Sequence, residues 1–270
     1  MTAPRTVHVE HCMGTVFSID IRDPGAWAGA VKEVIAWLHD VDAIFSTYKE
    51  GSDISRIRRG DLPVGDADPL VPEVLALCER AEKDTNGFFT ARWRDAATVA
   101  APADPASGTA GDVDPTGIVK GWAIERASGI LRGHGSGNHC VNGGGDIQLA
   151  GEPSPGEAWR VGISDPRDRT RLVAVVAGRD TAVATSGTAE RGDHIVDPRT
   201  GLAPDGLESA TVTGPSLTLA DAYATAAFVM GPAALDWVAA RPGYEAMLVA
   251  PGGALTRTPG FPGQPVALPQ

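Results

Sequence analysis

Basic residues are in the minority: 23 lysines and arginines stand against 34 aspartates and glutamates, giving a formal charge of -11. The pI is near 4.9. Nucleic acid and anionic membranes are recognised through a basic surface, so a general affinity for either is excluded. A local basic pocket for one phosphate group is not. Cysteine is scarce too. Cys12, Cys78 and Cys140 are odd in number and far apart, and they fit neither a zinc spacing nor a disulfide framework. They read as buried free thiols. No stretch approaches the roughly 18 apolar residues of a membrane span. The opening residues, MTAPRTVHVEHCMGTVFSID, contain neither the apolar core nor the cleavage pattern of a signal peptide. Cytoplasmic residence is the expectation. Internal repeats are absent, as is the G-x-x-x-x-G-K-[ST] phosphate loop.

What is present is a chain of 270 residues, 43% hydrophobic, with 33 glycines and 21 prolines. That length can bury a real core as one large domain, 1–270, rich in turns. Alternation over 8–21 predicts a strand, and apolar residues at helical spacing predict a helix over 27–45, with an exit loop at 46–48. Further helices are expected at 72–85, 117–131 and 219–230. A small-residue loop at 100–112 is the best linker. A Gly-rich turn precedes a strand within 140–149. Short strands are expected at 159–163, 172–176, 182–185 and 209–212, with a closing hairpin at 247–258 and an exposed Pro-rich tail at 259–270. The class is mixed α and β.

Four motifs carry possible chemistry. Asp221 and Thr225, four apart on a helix, share one face. A carboxylate with a hydroxyl suits a hard cation such as Mg²⁺; the alternative is a helix-capping region. In DPTGIVKG, 114–121, Lys120 lies in the first turns of a helix, which makes either a phosphate site or a cap with a surface lysine. In NGGGD, 142–146, the glycines permit close backbone approach to a ligand or simply a tight hairpin turn. In HIVDPRTG, 194–201, His194 is either a general base or a structural histidine.

Taken in order, these motifs resemble the FAD:protein FMN transferase family, known as the ApbE family. The resemblance runs from 13 to about 231. Its blocks are MGT at 13–15, STYKEGSDISRI at 46–57, GFF at 87–89, VDPTGIVKGWAIE at 113–125 and VNGGGDI at 141–147. WRVGISDP at 159–166, ATSGTAERGDHIVDPRTG at 184–201 and ADAYATAAFVMG at 220–231 complete it.

The resemblance implies an α+β fold of the T-fold type and Mg²⁺-dependent chemistry on FAD. It implies metal ligation by the side chains of Asp221 and Thr225 and the backbone oxygens of Gly117 and Ala224. It implies FAD contacts at Met13, Tyr48, Asp114, Lys120 and Val196, with the turn at Gly143 and Gly144 against the flavin or its phosphates. The reaction implied is attack of a Thr or Ser hydroxyl of an acceptor flavoprotein on the FMN phosphate, releasing AMP. His194 is the candidate base or substrate-orienting residue; the alternative is that Asp197 serves by holding His194 in one tautomer, and the sequence does not choose between them. FAD pyrophosphate hydrolysis and a non-catalytic FAD-binding module are the alternatives. The sequence departs from the family pattern at Thr90, where Asp is frequent, and at Trp122, where Tyr is commoner. It also lacks the export signal that many relatives carry.

Overall fold

The computed structural model describes residues 5–92, 113–188 and 195–266. The linker expected at 100–112 lies outside the described residues, and so does His194. Eight antiparallel strands form the main sheet in the order β1-β2-β3-β4-β7-β8-β9-β10. They are β1 (Thr6–Cys12), β2 (Thr15–Ile21), β3 (His139–Gly143), β4 (Asp146–Ala150), β7 (Ala182–Gly187), β8 (Ser209–Gly214), β9 (Glu245–Val249) and β10 (Leu255–Arg257). A three-stranded sheet joins β11 (Gly263–Pro265), β6 (Asp168–Gly178) and β5 (Trp159–Asp165). The helices are α1 (Ala28–Phe45), α2 (Asp53–Arg58), α3 (Leu70–Asp84), α4 (Thr116–Gly133), α5 (Leu217–Met230) and α6 (Ala234–Ala239).

Period-two alternation sorts the strand residues into two cores. Ala182, Ala184, Ala246 and Leu248 join the core shared with the helices. Their neighbours Val183, Met247 and Val249 pack instead with Trp159, Val161 and Val176 of the smaller sheet. The helices therefore cover one face of the main sheet and the three-stranded sheet the other. Small residues let α5 sit close: Ala220, Ala222, Ala224, Ala226 and Ala227 are all fully buried. A helix that is apolar nearly all round belongs inside, and α5 is wedged between the sheet and α4.

The structure corrects three expectations. Residues 8–21 form two strands, because Met13 (φ 52) and Gly14 (φ 69) make a two-residue turn. Both central residues have positive φ, as the tight hairpin turn requires, and the alternation runs through without a break. The tail expected from 259 is partly built in: Phe261 is buried in the second core and β11 pairs with β6. Helix α5 begins at Leu217, so Asp221 is past the cap. Capping falls to Ser216 and to the Glu125 carboxylate, which accepts from the Thr218 amide at 2.8 Å and from the hydroxyls of Ser216 and Thr218.

All three cysteines are free, and burial pushes Cys12 up to about 11 and Cys78 up to about 12, so neither is a nucleophile near neutral pH. No helix among the described residues is long and apolar enough to cross a membrane.

One buried group sets an acid limit on stability. His139 is fully buried between Ser128 (2.7 Å to Nε2) and Ser136 (2.9 Å to Nδ1). Ser136 gives its own proton to Asp23, so it accepts from Nδ1–H, and Nε2 accepts from Ser128. Burial, helped by Arg132, lowers the imidazole from 6.5 to about 4. Because the folded value lies below the unfolded one, the unfolded chain binds more protons between them. The stabilisation is complete above the unfolded value and is lost as pH falls through the folded one. The expected loss is about 3 kcal/mol. Urea titrations at neutral pH and near the folded value would check it; a His139→Gln variant without the same drop would support the assignment, and one with an unchanged drop would refute it.

Candidate active site

A cleft of about 850 Å³ opens at one end of the main sheet, where the β1–β2 and β3–β4 turns meet the first turns of α4. Its walls bring together segments far apart in sequence: Met13 and Gly14, the 45–49 loop, Gly117 and Lys120, Gly144, Thr185 to Gly187, Ile195, and Asp221 with Thr225. The size suits a small-molecule ligand.

Close packing of α4 on α5 delivers the polar centre. A Cβ at Gly121 would lie 2.8 Å from the Leu217 carbonyl oxygen and 2.9 Å from Asp221 Cβ. Only glycine permits this approach, and it lets the Gly121 amide donate to Asp221 Oδ2 at 3.1 Å. Asp221 is 6% exposed. One turn on, the Thr225 hydroxyl lies 3.1 Å from that of Ser186 on β7. A carboxylate and two hydroxyls thus face a cleft from a helix that is otherwise apolar.

Lys120 enters from α4 and forms an ion pair with Asp146, the first residue of β4. Asp146 also accepts from the Thr185 amide at 3.2 Å. Gly144, φ 59, lines the cleft and lies against the Thr15 hydroxyl. Gly143 instead faces the core: a Cβ there would meet Phe17 at 2.5 Å and Ile124 at 2.9 Å. Asp114 also stays off the cleft lining. Its carboxylate accepts from the Thr116 amide (3.0 Å) and hydroxyl (2.6 Å) and so fixes the start of α4.

At the rim, Tyr48 is 89% exposed. Its loop is pinned from below, since Ser52 and Ser55 both donate to the Ser46 carbonyl, at 2.6 and 3.1 Å. Lys49 pairs with Asp42 at 2.6 Å. Arg169, near the start of β6, also lines the cleft.

The HIVDPRTG segment is described from Ile195 onward. Ile195 lines the cleft, whereas Val196 and Asp197 do not. Asp197 receives the Arg199 guanidinium at 3.0 and 2.8 Å, which holds its carboxyl below the usual range. Arg199 lies 3.7 Å above the Phe88 ring, docking this segment on the GFF block. Thr90 of that block donates to Glu82 at 3.1 Å.

The donors suit a hard cation. No group of three or more His, Cys, Asp or Glu side chains with metal-site geometry occurs among the described residues. One carboxylate, a hydroxyl and backbone carbonyls match Mg²⁺, which is bound through few carboxylates together with substrate phosphates. Ala224 is fully buried in the middle of α5 and does not line the cleft. Sequence reasoning does not reach Ser186 or Arg169. The first stands in a strand that reads as core, and the second is one of several arginines near a turn.

The family model described as "ApbE family" matches residues 13–101 and 105–248. The chain belongs to the ApbE family. It is 35% identical over 129 residues to the FAD:protein FMN transferase of Vibrio cholerae, covering 44% of this chain and 39% of that protein. It is 30% identical over 156 residues to that of Escherichia coli, covering 54% of this chain and 44% of that protein. The chain thus spans less than half the length of these two curated relatives. The fold matches the crystal structure of the ApbE protein of Thermotoga maritima with a TM-score of 0.82 at 23% identity, over 95% of this chain and 97% of that one.

Proposed function

We propose that this chain transfers FMN from FAD to a Thr or Ser hydroxyl of an acceptor flavoprotein, in a Mg²⁺-dependent reaction that releases AMP. The observation that carries the reading is the convergence of Asp221, Thr225 and Lys120 on one cleft rimmed by an exposed tyrosine. FAD needs each part: an aromatic surface for a ring system and positive charge with a metal for the pyrophosphate.

Asp221 and Thr225 would hold Mg²⁺ through side-chain oxygens, with the Gly117 and Ala224 carbonyls. When bound, the ion supplies charge neutralisation and Lewis acidity at the pyrophosphate. Lys120 offsets charge on a phosphoryl oxygen. The acceptor oxygen forms a bond to the FMN phosphorus as the bond to the AMP oxygen breaks, and the hydroxyl proton passes to a base. His194 is assigned that role from its place in the HIVDPRTG block. Asp197 is clamped by Arg199 in the turn that follows in the same block. Met13 and Gly144 border the space for the flavin. Tyr48 stacks on one of the two ring systems.

AMP release from FAD, followed by chromatography with and without Mg²⁺ and with an acceptor flavoprotein domain, tests this. FMN that stays on the acceptor while AMP appears supports the transferase. AMP with free FMN and no need for acceptor replaces it by FAD hydrolysis. Bound FAD without turnover in any mixture replaces it by a binding module.

Removing the rim aromatic has a separable effect. Stacking of a ring on an aromatic side chain is worth about 1–3 kcal/mol. Tyr48→Ala is therefore expected to raise the KM for FAD about tenfold. The melting temperature should not move, because the side chain is 89% exposed. An unchanged KM would remove Tyr48 from the flavin site.

A further inference from the structure

We infer that Asp146 is a positioning residue for this reaction, holding the Lys120 ammonium where a substrate phosphate enters. The inference rests on the flavin-transfer reading and assigns a task to a buried charge that reading leaves unused. Asp146 is 1% exposed. Its Oδ1 accepts the Thr185 amide, and its Oδ2 meets the Lys120 ammonium. Among the described residues no other donor reaches Oδ2.

The placement follows from the strands. Pairing of β4 with β7 covers only Ile147 with Val183 and Gln148 with Ala182. One step nearer the cleft the ladder stops. There the Asp146 side chain takes the Thr185 amide in place of a backbone carbonyl. The carboxylate bridges the gap that opens as the strands part. An asparagine or a serine would serve that bridge without the cost of burying a charge. The charge is explained by the second partner. A lysine is a point charge on a flexible stem, and ordering such a side chain on binding costs affinity. Pairing with a buried carboxylate meets that cost before substrate arrives. An ammonium has three donors, and the ion pair with Asp146 holds in place the group that a phosphoryl oxygen would meet. Asp146 also follows the Gly144–Gly145 turn directly. One side chain thus ties together the glycine turn, the end of β7 and Lys120, three walls of the cleft.

The test is Asp146→Asn, which keeps an oxygen for the Thr185 amide and removes the charge. Steady-state AMP release should show the KM for FAD raised about tenfold with kcat within twofold, which is the mark of lost binding rather than lost active enzyme. A folded variant with unchanged KM overturns the inference. So does a fall in kcat at constant KM that matches a fall in the amount of folded protein, which marks a purely structural residue. Should the asparagine variant fail to fold, the Lys120→Met, Asp146→Asn double variant removes the pair as a unit. FAD binding by that protein, read from flavin fluorescence, is expected to match that of Lys120→Met alone, both at least tenfold weaker than wild type; a further fall in the double variant, or binding equal to wild type, overturns the inference. If wild-type protein neither binds nor cleaves FAD, the flavin reading itself has failed, which is a different result from either.

Discussion

Asp221→Ala is expected to lower Mg²⁺-dependent AMP release from FAD about a thousandfold while the protein still binds flavin. The size follows from what the proposed ligand supports. A metal at a phosphoryl centre contributes several kcal/mol, and each 1.4 kcal/mol is tenfold in rate. The variant has a structural cost as well. The Gly121 amide, inside the helix ladder, loses its second acceptor, Asp221 Oδ2 at 3.1 Å, and a hydrogen bond to a charged group is worth about 1.5–3 kcal/mol. Asp221→Asn separates the two effects. It restores an oxygen to Gly121 but not the charge. Activity lost equally in both variants, with thermal stability recovered only in the asparagine one, would place the loss in metal binding. Activity near wild type in the asparagine variant would sink the assignment of Asp221 as a ligand.

The sequence shows this site unevenly, for physical reasons. The spacing of Asp221 and Thr225 is legible because a helix puts residues four apart on one face. Their burial is not, because it depends on Gly121 letting α4 approach α5 across 100 residues of chain. Helices α1, α3 and α4 are legible from their apolar spacing. The short α2 is not, since its six residues hold too little periodicity; its start is fixed by Ser52, which accepts the Ser55 amide. The hairpin at Met13 hides because a turn of two residues preserves alternation. The tail misleads because proline suggests exposure, yet Phe261 is carried into the second core and Pro265 sits on an edge strand, where a missing amide costs nothing. In the VNGGGD block the glycines divide the work. Gly143 makes room for Phe17, Gly144 turns the chain at the cleft, and the residue that pairs with Lys120 is the aspartate after the turn. Nothing in its spacing pairs it with a lysine 26 positions upstream.

Lys120→Met is expected to destabilise the fold by about 2–3 kcal/mol, at or just below the roughly 3–5 kcal/mol that breaking a fully buried ion pair costs. The asymmetry of the pair sets the size. Asp146 is 1% exposed and Lys120 22%. Water therefore already screens the ammonium in part, whereas the carboxylate has no route to solvent without opening the β4–β7 junction. Methionine fills much of the lysine volume, so little of the loss comes from packing, and most reflects a buried carboxylate without its cation. Adding Asp146→Asn in the same chain should recover most of the lost stability, because removing a buried pair as a unit is often neutral. Urea unfolding of the four proteins measures this. A Lys120→Met protein as stable as wild type would mean that water reaches Asp146 and that the pair is a surface contact. A double variant no more stable than Lys120→Met alone would place the cost in the lysine stem instead. The outcome also governs the functional tests: FAD affinity of any Lys120 variant has to be compared well below its own melting temperature. Otherwise a loss of folded protein would pass for a lost phosphate contact.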